Sequence, residues 1–388
     1  NGYTDGNIFS DAGGSYGTLR EGDLVNLYNG LPHRHPICGE VCTHMDANGD
    51  PIHPIVEWIA VSDASDITDD LAEGNYYLAG PVALGQAWSP ENDIHLCLNG
   101  QTLERSGAFN TVTVKQTLTL CDCDTLGRGT LRATGGTSAC GVCVDSHTNG
   151  EGNFEAGIFD MYGGTITGVQ YGVKFGTYRG IFNMYGGTIK DSGTGVCMKG
   201  YTYSSATFNM YGGTIENNGT GSEDVGGVYV ATCTFNMSGG VITGNSKSER
   251  TSGAGGVYVT GGRFTMSGDA EIRGNRVTIK ESTNAGLVNE GAGGVYVKSG
   301  TFRMSGNARI TDNTVVNNSS KVMAGGVYMA DAASMSVSGA ASVTGNTGSN
   351  IYLPTGKAIA IAGALEESAS FGVTTADIPA DSFATVAT

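Results

Sequence analysis

Through most of the chain, apolar and polar residues alternate in short runs, with glycine or asparagine between one run and the next. In Phe208-Asn-Met-Tyr, Phe208 and Met210 point to one side while Asn209 and Tyr211 point to the other. That period of two belongs to a strand buried on one face. The phrase recurs as Phe159-Asp-Met-Tyr-Gly-Gly-Thr-Ile, Phe182-Asn-Met-Tyr-Gly-Gly-Thr-Ile and Phe235-Asn-Met-Ser-Gly-Gly-Val-Ile. It fades through Phe264-Thr-Met-Ser-Gly and Phe302-Arg-Met-Ser-Gly to Met335-Ser-Val-Ser-Gly. A second phrase precedes it: Gly226-Gly-Val-Tyr-Val, Gly255-Gly-Val-Tyr-Val, Gly293-Gly-Val-Tyr-Val and Gly325-Gly-Val-Tyr-Met. A third follows it: Ile242-Thr-Gly-Asn, Ile272-Arg-Gly-Asn, Ile310-Thr-Asp-Asn and Val343-Thr-Gly-Asn.

Each unit therefore predicts three short strands. Such strands cannot make a sheet with their neighbours in sequence. Stacking unit on unit pairs each strand with its counterpart about 4.8 Å along a common axis. The expected fold is all-β: a right-handed parallel β-helix with three short strands per coil and a cap at each end. The handedness follows from the preference of parallel crossovers. Val228, Val257, Val295 and Val327 should form one internal column, and Phe235, Phe264 and Phe302 another. Asn245, Asn275, Asn313 and Asn346 should stack as an amide ladder at one corner.

The repeats set the expected boundaries. Residues 1–90, with little repetition and most of the histidines, form an N-terminal cap carrying a Cys/His cluster. Residues 91–356 form the β-helix, and 357–388 form C-terminal capping strands that protect its open end. Leu353-Pro354-Thr355-Gly356 is read as a turn. Segments 246–254, 276–292 and 314–324 all fall between the asparagine corner and the next Gly-Gly-Val-Tyr strand. They should emerge as loops along one edge, with Lys280, Glu281, Asn284, Asn289 and Glu290 on the longest.

Composition narrows the class. Glycine numbers 63 of 388 residues with only 8 prolines, and no G-X-Y period accompanies it, which excludes collagen. Hydrophobic residues at 39% can fill a core. Lys plus Arg is 21 against 37 Asp plus Glu, a formal net charge of −16. That balance argues against nucleic acid and anionic membranes as partners. No apolar run reaches membrane-span length, so no membrane insertion is expected, and a signal peptide is expected to have been removed or never present, given the polar first residues. Low charge and abundant Thr, Ser, Asn and Gly favour a secreted or cell-surface location.

The nine cysteines are an odd number, which does not suit a dense disulfide framework. Cys38, Cys42, His44 and His53, with His33 and His35 just upstream, have the donor chemistry of a structural zinc site. A Cys38–Cys42 disulfide is the alternative in an exported protein. No other cofactor is expected. Cys121, Cys123, Cys140 and Cys143 lie at strand ends without a following helix, which fits structural thiols better than a redox pair.

Two outward rows are candidate ligand-binding surfaces. Tyr229, Tyr258, Tyr296, Tyr328 and Tyr352 should align on one sheet. Tyr162, Tyr185 and Tyr211 should align on another, beside Asp160, Asn183 and Asn209. Aromatic rows next to amides suit stacking on sugar rings or a protein interface. Stacked tyrosines also stabilise a solenoid wall without any ligand.

The combination Gly-Gly-Val-Tyr-Val … Phe-Asn-Met-Ser-Gly-Gly-Val-Ile-Thr-Gly-Asn resembles repeat-rich surface proteins of anaerobic, often gut-dwelling Gram-positive bacteria, of the wider pectate-lyase-like β-helix superfamily. The opening His33-Arg-His35-Pro-Ile-Cys38, Cys42-Thr-His44 and Leu96-Cys97-Leu98-Asn99-Gly100 are similar to theirs, as is the closing Asn350-Ile-Tyr-Leu-Pro. The resemblance implies an adhesin-like protein engaged in host interaction. The expected function is binding of a host or dietary glycan, or a host protein, through an exposed solenoid face and its loop edge. Oligomeric state is not readable from the sequence. Two alternatives stay open: a β-helix polysaccharide lyase or glycoside hydrolase, and a passive stalk in a larger surface protein. The chain lacks the Asn-Thr-Asp, Gly-His-Gly and Arg-Ile-Lys motifs of superfamily hydrolases, and no catalytic residue is assigned.

Overall fold

The computed structural model describes residues 7–10, 16–18, 32–39, 42, 45–46, 48–107, 109–134, 139–176, 179–199, 206–249, 252–279, 290–317 and 323–376. The chain is a parallel β-helix. One coil runs through Val228–Ala231, Thr234–Met237 and Val241–Thr243, one strand on each of three faces. Each strand pairs in parallel with its counterpart in the next coil: Val228 with Val257, Phe235 with Phe264, Ile242 with Ile272. The third face alone is an unbroken ladder of 11 strands. In later coils the first two strands run together as Val257–Met266, Val295–Met304 and Ala324–Gly339. Among the described residues no helix is long and apolar enough to cross a membrane.

The interior is filled by like residues in files. Phe159, Phe182, Phe208, Phe235, Phe264 and Phe302 are all fully buried. Phe208 and Phe235 stack with ring centroids 4.6 Å apart and planes 1° from parallel. Burying each such side chain contributes roughly 1.5–3 kcal/mol, which offsets the entropy of ordering a coil.

The third phrase ends in a corner, and its geometry explains its residue choice. Gly244 and Gly274 take φ of +64° and +62°, and Asn217 and Asp312 occupy the same slot at +55° and +57°. Glycine, and short polar residues after it, tolerate that left-handed conformation best. The asparagine that follows turns inward and stacks. Asn218 donates from Nδ2 to Oδ1 of Asn245 at 2.9 Å, and Asn245, Asn275 and Asn313 repeat the bond upward to Asn346. The glycine pair before Val-Tyr answers a different need. A Cβ at Gly227 would sit 2.3 Å from the carbonyl oxygen of Gly256, so adjacent coils touch backbone to backbone there.

The structure refines three expectations. Parallel pairing begins well before residue 91: Ile59–Val61 pairs with Gly74–Leu78, which pairs with Ile94–Cys97. The first coils thus belong to the region expected as cap. Among the described residues, the cap proper includes an antiparallel pair, Arg34–Pro36 with Ile55–Glu57. At the other end, Ala360–Leu365, Ser370–Phe371 and Val373–Thr375 continue the parallel ladders as one more coil. Finally, the insertions open as strands, not loops. Ser246–Glu249, Arg276–Ile279 and Thr314–Asn317 form a parallel sheet of their own, packed through Val277 and Ile279. Lys280, Glu281, Asn284 and Asn289 lie outside the described residues. Lys357 N donates to Pro354 O at 3.2 Å, the turn expected there.

Candidate functional site

The first tyrosine row aligns as expected but does not face solvent. Tyr229, Tyr258, Tyr296, Tyr328 and Tyr352 are in register across successive coils. Tyr258 is 2% exposed, Tyr296 0% and Tyr328 8%. The chain returning from the insertion sheet places Ala254, Ala292 and Ala324 against them, and with Val225 they make a second apolar cluster. The Tyr296 hydroxyl donates to the Glu290 carboxylate. Burial raises the Tyr258 hydroxyl to about 12 and pushes that of Tyr328 higher still. Tyr258, Tyr296 and Tyr328 are therefore wall and core, not an exposed ligand surface. Tyr229 and Tyr352, at the ends, are half-buried.

The second row is half-buried under the cap at Tyr162 and opens to solvent towards Tyr211. Tyr162, Tyr185 and Tyr211 stack with centroids 4.5 and 5.0 Å apart and planes within 15°. Exposure reaches 50% at Tyr211. Beside them runs a partly exposed polar ladder. Asn183 Nδ2 donates to Asp160 Oδ1 at 2.8 Å, Asn209 Nδ2 to Asn183 Oδ1 at 2.9 Å, and Asn236 Nδ2 to Asn209 Oδ1 at 2.9 Å. Burial raises the Asp160 carboxyl, opposed by the bond from Asn183 and the nearby His95. Asn236 extends the row by one coil beyond the residues singled out from sequence.

The same outward file continues towards the N terminus with different chemistry. Tyr162 follows Met161, which pairs with Leu120, and so stands over Cys121. Cys121 pairs with Cys97, and Cys97 with Tyr77. The cap lies against this stretch, where His33 stacks on Tyr77 at 4.1 Å and His35 on Trp58 at 4.3 Å. Two groups of metal-ligating side chains result. Cys38, Cys42 and His53 bring ligand atoms within 4.8 Å of one another. Cys42 Sγ lies 3.6 Å from His53 Nδ1, and the Tyr162 hydroxyl 3.4 Å from His53 Nε2. His44, the fourth expected ligand, lies outside the described residues. His33, His35, Cys97 and Cys123 form the second group, also within 4.8 Å. Sequence spacing could not reveal it, because Cys97 and Cys123 reach the histidines only through the coil register. The hydrogen bond with Cys97, together with burial, pushes the Cys123 thiol up to about 12. Either group has the donor set to hold a metal ion.

The remaining cysteines read as structural. Cys140 and Cys197 are buried in one small cluster, with Cys143 packed against it. Burial pushes Cys140 up to about 12 and Cys143 to about 11, so both are neutral thiols at pH 7 and poor nucleophiles. Asp69 and Asp70 line a cleft of about 510 Å³ with Trp88 and Glu91, beside the first coils. Asp69 Oδ1 accepts from the Ser89 amide at 2.8 Å. Comparison with known protein families, curated proteins and solved structures finds no match to the chain.

Proposed function

We propose that this protein is a non-catalytic binding module displayed outside the cell, and that it takes a glycan on the face carrying Tyr185 and Tyr211. The observation that carries the reading is the pair of neighbouring files, stacked tyrosines next to bonded Asn183, Asn209 and Asn236. A sugar offers C–H faces to an aromatic ring and hydroxyls to amides, and the two files present both at the spacing of one coil. A net charge of −16 favours neutral sugars over polyanions. Surface display and adhesin-like use rest on the resemblance in the repeats. A glycan array probed with the intact protein, with Tyr211→Ala and Asn209→Ala as controls, tests the reading. Binding that survives both substitutions, or capture of a host protein alone, would overturn it.

We further propose that Cys38, Cys42, His44 and His53 hold a structural zinc ion, with a Cys38–Cys42 disulfide as the competing state. Thiol counting before and after reduction, beside zinc analysis, separates them. A second functional reading, glycan cleavage, draws on the acidic cleft at Asp69, Asp70 and Glu91. Release of reducing ends or unsaturated products from mucin or pectin, abolished by Asp70→Asn, would favour it over binding.

A further inference from the structure

We infer that His33, His35, Cys97 and Cys123 form a closed tetrahedral zinc site, separate from the Cys38 group, that ties the cap to the first coils. The donors come from three places in the chain. His33 and His35 flank Arg34 at the start of the cap strand Arg34–Pro36. Cys97 ends the strand Ile94–Cys97, and Cys123 follows Thr117–Cys121 one coil later. Only the stacking of those coils brings the two thiols together.

Geometry supports four ligands on one ion. Zinc bonds of 2.0–2.1 Å to nitrogen and 2.3 Å to sulfur put tetrahedral ligand atoms about 3.3–3.8 Å apart. Cys123 Sγ already lies 3.5 Å from His33 Nε2. All four ligand atoms fall within 4.8 Å, so closure needs side-chain adjustment and no movement of the coils.

His35 supplies the independent observation. It is 4% exposed, and its Nδ1 lies 2.6 Å from the Pro36 carbonyl oxygen. A carbonyl only accepts, so Nδ1 carries the proton and Nε2 keeps a lone pair. That Nε2 is buried and makes no hydrogen bond of good geometry, only a looser contact with the Cys123 thiol. A buried acceptor of this kind calls for a donor or a cation, and its Nδ1–H···O=C bond is the support that zinc-bound imidazoles ordinarily have. The ring is held further by stacking on Trp58, whose Nε1 donates to the His35 carbonyl at 3.0 Å.

The charge balance closes. Zn²⁺ displaces one proton from each of Cys97 and Cys123, and two neutral imidazoles complete the shell, leaving a neutral centre. Two sulfurs and two nitrogens in a tetrahedron select zinc among common divalent ions. Four protein ligands leave no open position, which assigns the ion to structure and not to catalysis.

The test uses the full-length chain purified under reducing conditions without added chelator. Zinc content is measured for wild type, Cys97→Ser, His35→Ala and Cys42→Ser, and each protein is then loaded with Co²⁺ to record its visible spectrum. Cys97→Ser and His35→Ala should each lose one equivalent of zinc relative to wild type. Cys42→Ser should keep that equivalent, with the d–d bands and sulfur-to-cobalt charge transfer of a tetrahedral S₂N₂ site. Stripping zinc from the wild type should speed tryptic cleavage after Arg34, and restored zinc should reverse this. Equal zinc in wild type and Cys97→Ser overturns the proposal. So does a Cys97–Cys123 disulfide in the freshly purified protein, or a cobalt spectrum in Cys42→Ser without thiolate bands. Should Cys97→Ser or His35→Ala not fold, the zinc count and cobalt spectrum of Cys42→Ser still decide.

Discussion

Asn275 accepts from Asn245 Nδ2 at 2.9 Å and donates its own Nδ2 to Asn313 Oδ1 at 3.0 Å, with neither neighbour exposed. The same amide also donates to the Ile242 carbonyl at 2.8 Å, and its oxygen accepts from the Asn245 backbone at 3.1 Å. Asn275→Leu keeps the approximate volume and removes every one of these bonds. Each buried group left without a partner costs about 1–3 kcal/mol. A loss of about 3–5 kcal/mol is expected, read as a lower denaturation midpoint. A loss under 1 kcal/mol would mean the ladder merely accompanies the corner and does not hold it.

The buried tyrosine row makes a different prediction. Tyr296 packs between Tyr258 at 4.9 Å and Tyr328 at 5.4 Å, under Ala292. Tyr296→Ala should cost about 3–5 kcal/mol, as for other large buried aromatics. Tyr296→Phe keeps the packing and loses only the bond to Glu290, so it should cost about 1–2 kcal/mol. Chemical denaturation of both variants measures the difference. Equal losses would place the whole contribution in the hydroxyl.

Tyr211 should behave in the opposite way. Half-exposed and stacked on one side only, it contributes little to the wall. Tyr211→Ala should change stability by less than about 1 kcal/mol. If the ring stacks on a sugar, the same change should weaken binding about tenfold, roughly 1.4 kcal/mol. Calorimetry against a ligand drawn from the glycan array reads the affinity. Tyr185→Ala, which breaks the stack in the middle, should lose both.

The repeat made the solenoid legible because stacking places like above like. The columns at Val228, Phe235 and Asn245 followed from spacing alone. What covers a face did not. Whether Tyr258 meets water depends on where residues after Asn245 travel, and a stretch such as Ser246–Glu249 shows little amphipathic pattern of its own. Only its parallel pairing with Arg276–Ile279 makes it a sheet. The Cys/His chemistry divided in the same way. Cys38, Cys42 and His53 are close in sequence and were visible as a group, whereas His33 meets Cys123 across 90 residues. The earliest coils, such as Gly74–Leu78, are not legible in the repeat because they lack the Phe-Asn-Met phrase while still pairing in parallel.

Asp160 is the odd member of the outward amide ladder, in a position filled by Asn183, Asn209 and Asn236 in the following coils. Burial raises its carboxyl above the ordinary value of 3.8. The folded protein therefore holds this proton more tightly than the unfolded chain does. Stability from this group is greatest below pH 3.8, falls as pH rises through the window up to the folded value, and stays at its lower level above it. Asp160→Asn removes the buried charge and keeps an oxygen to accept from Asn183 Nδ2. It should stabilise the protein at pH 7, and the gain over wild type should shrink as the pH is lowered towards 4. Urea denaturation of both proteins at the two pH values gives the comparison. A variant less stable than wild type at pH 7 would show that the carboxylate is supported there, by His95 or by a stronger bond from Asn183, beyond what its burial removes.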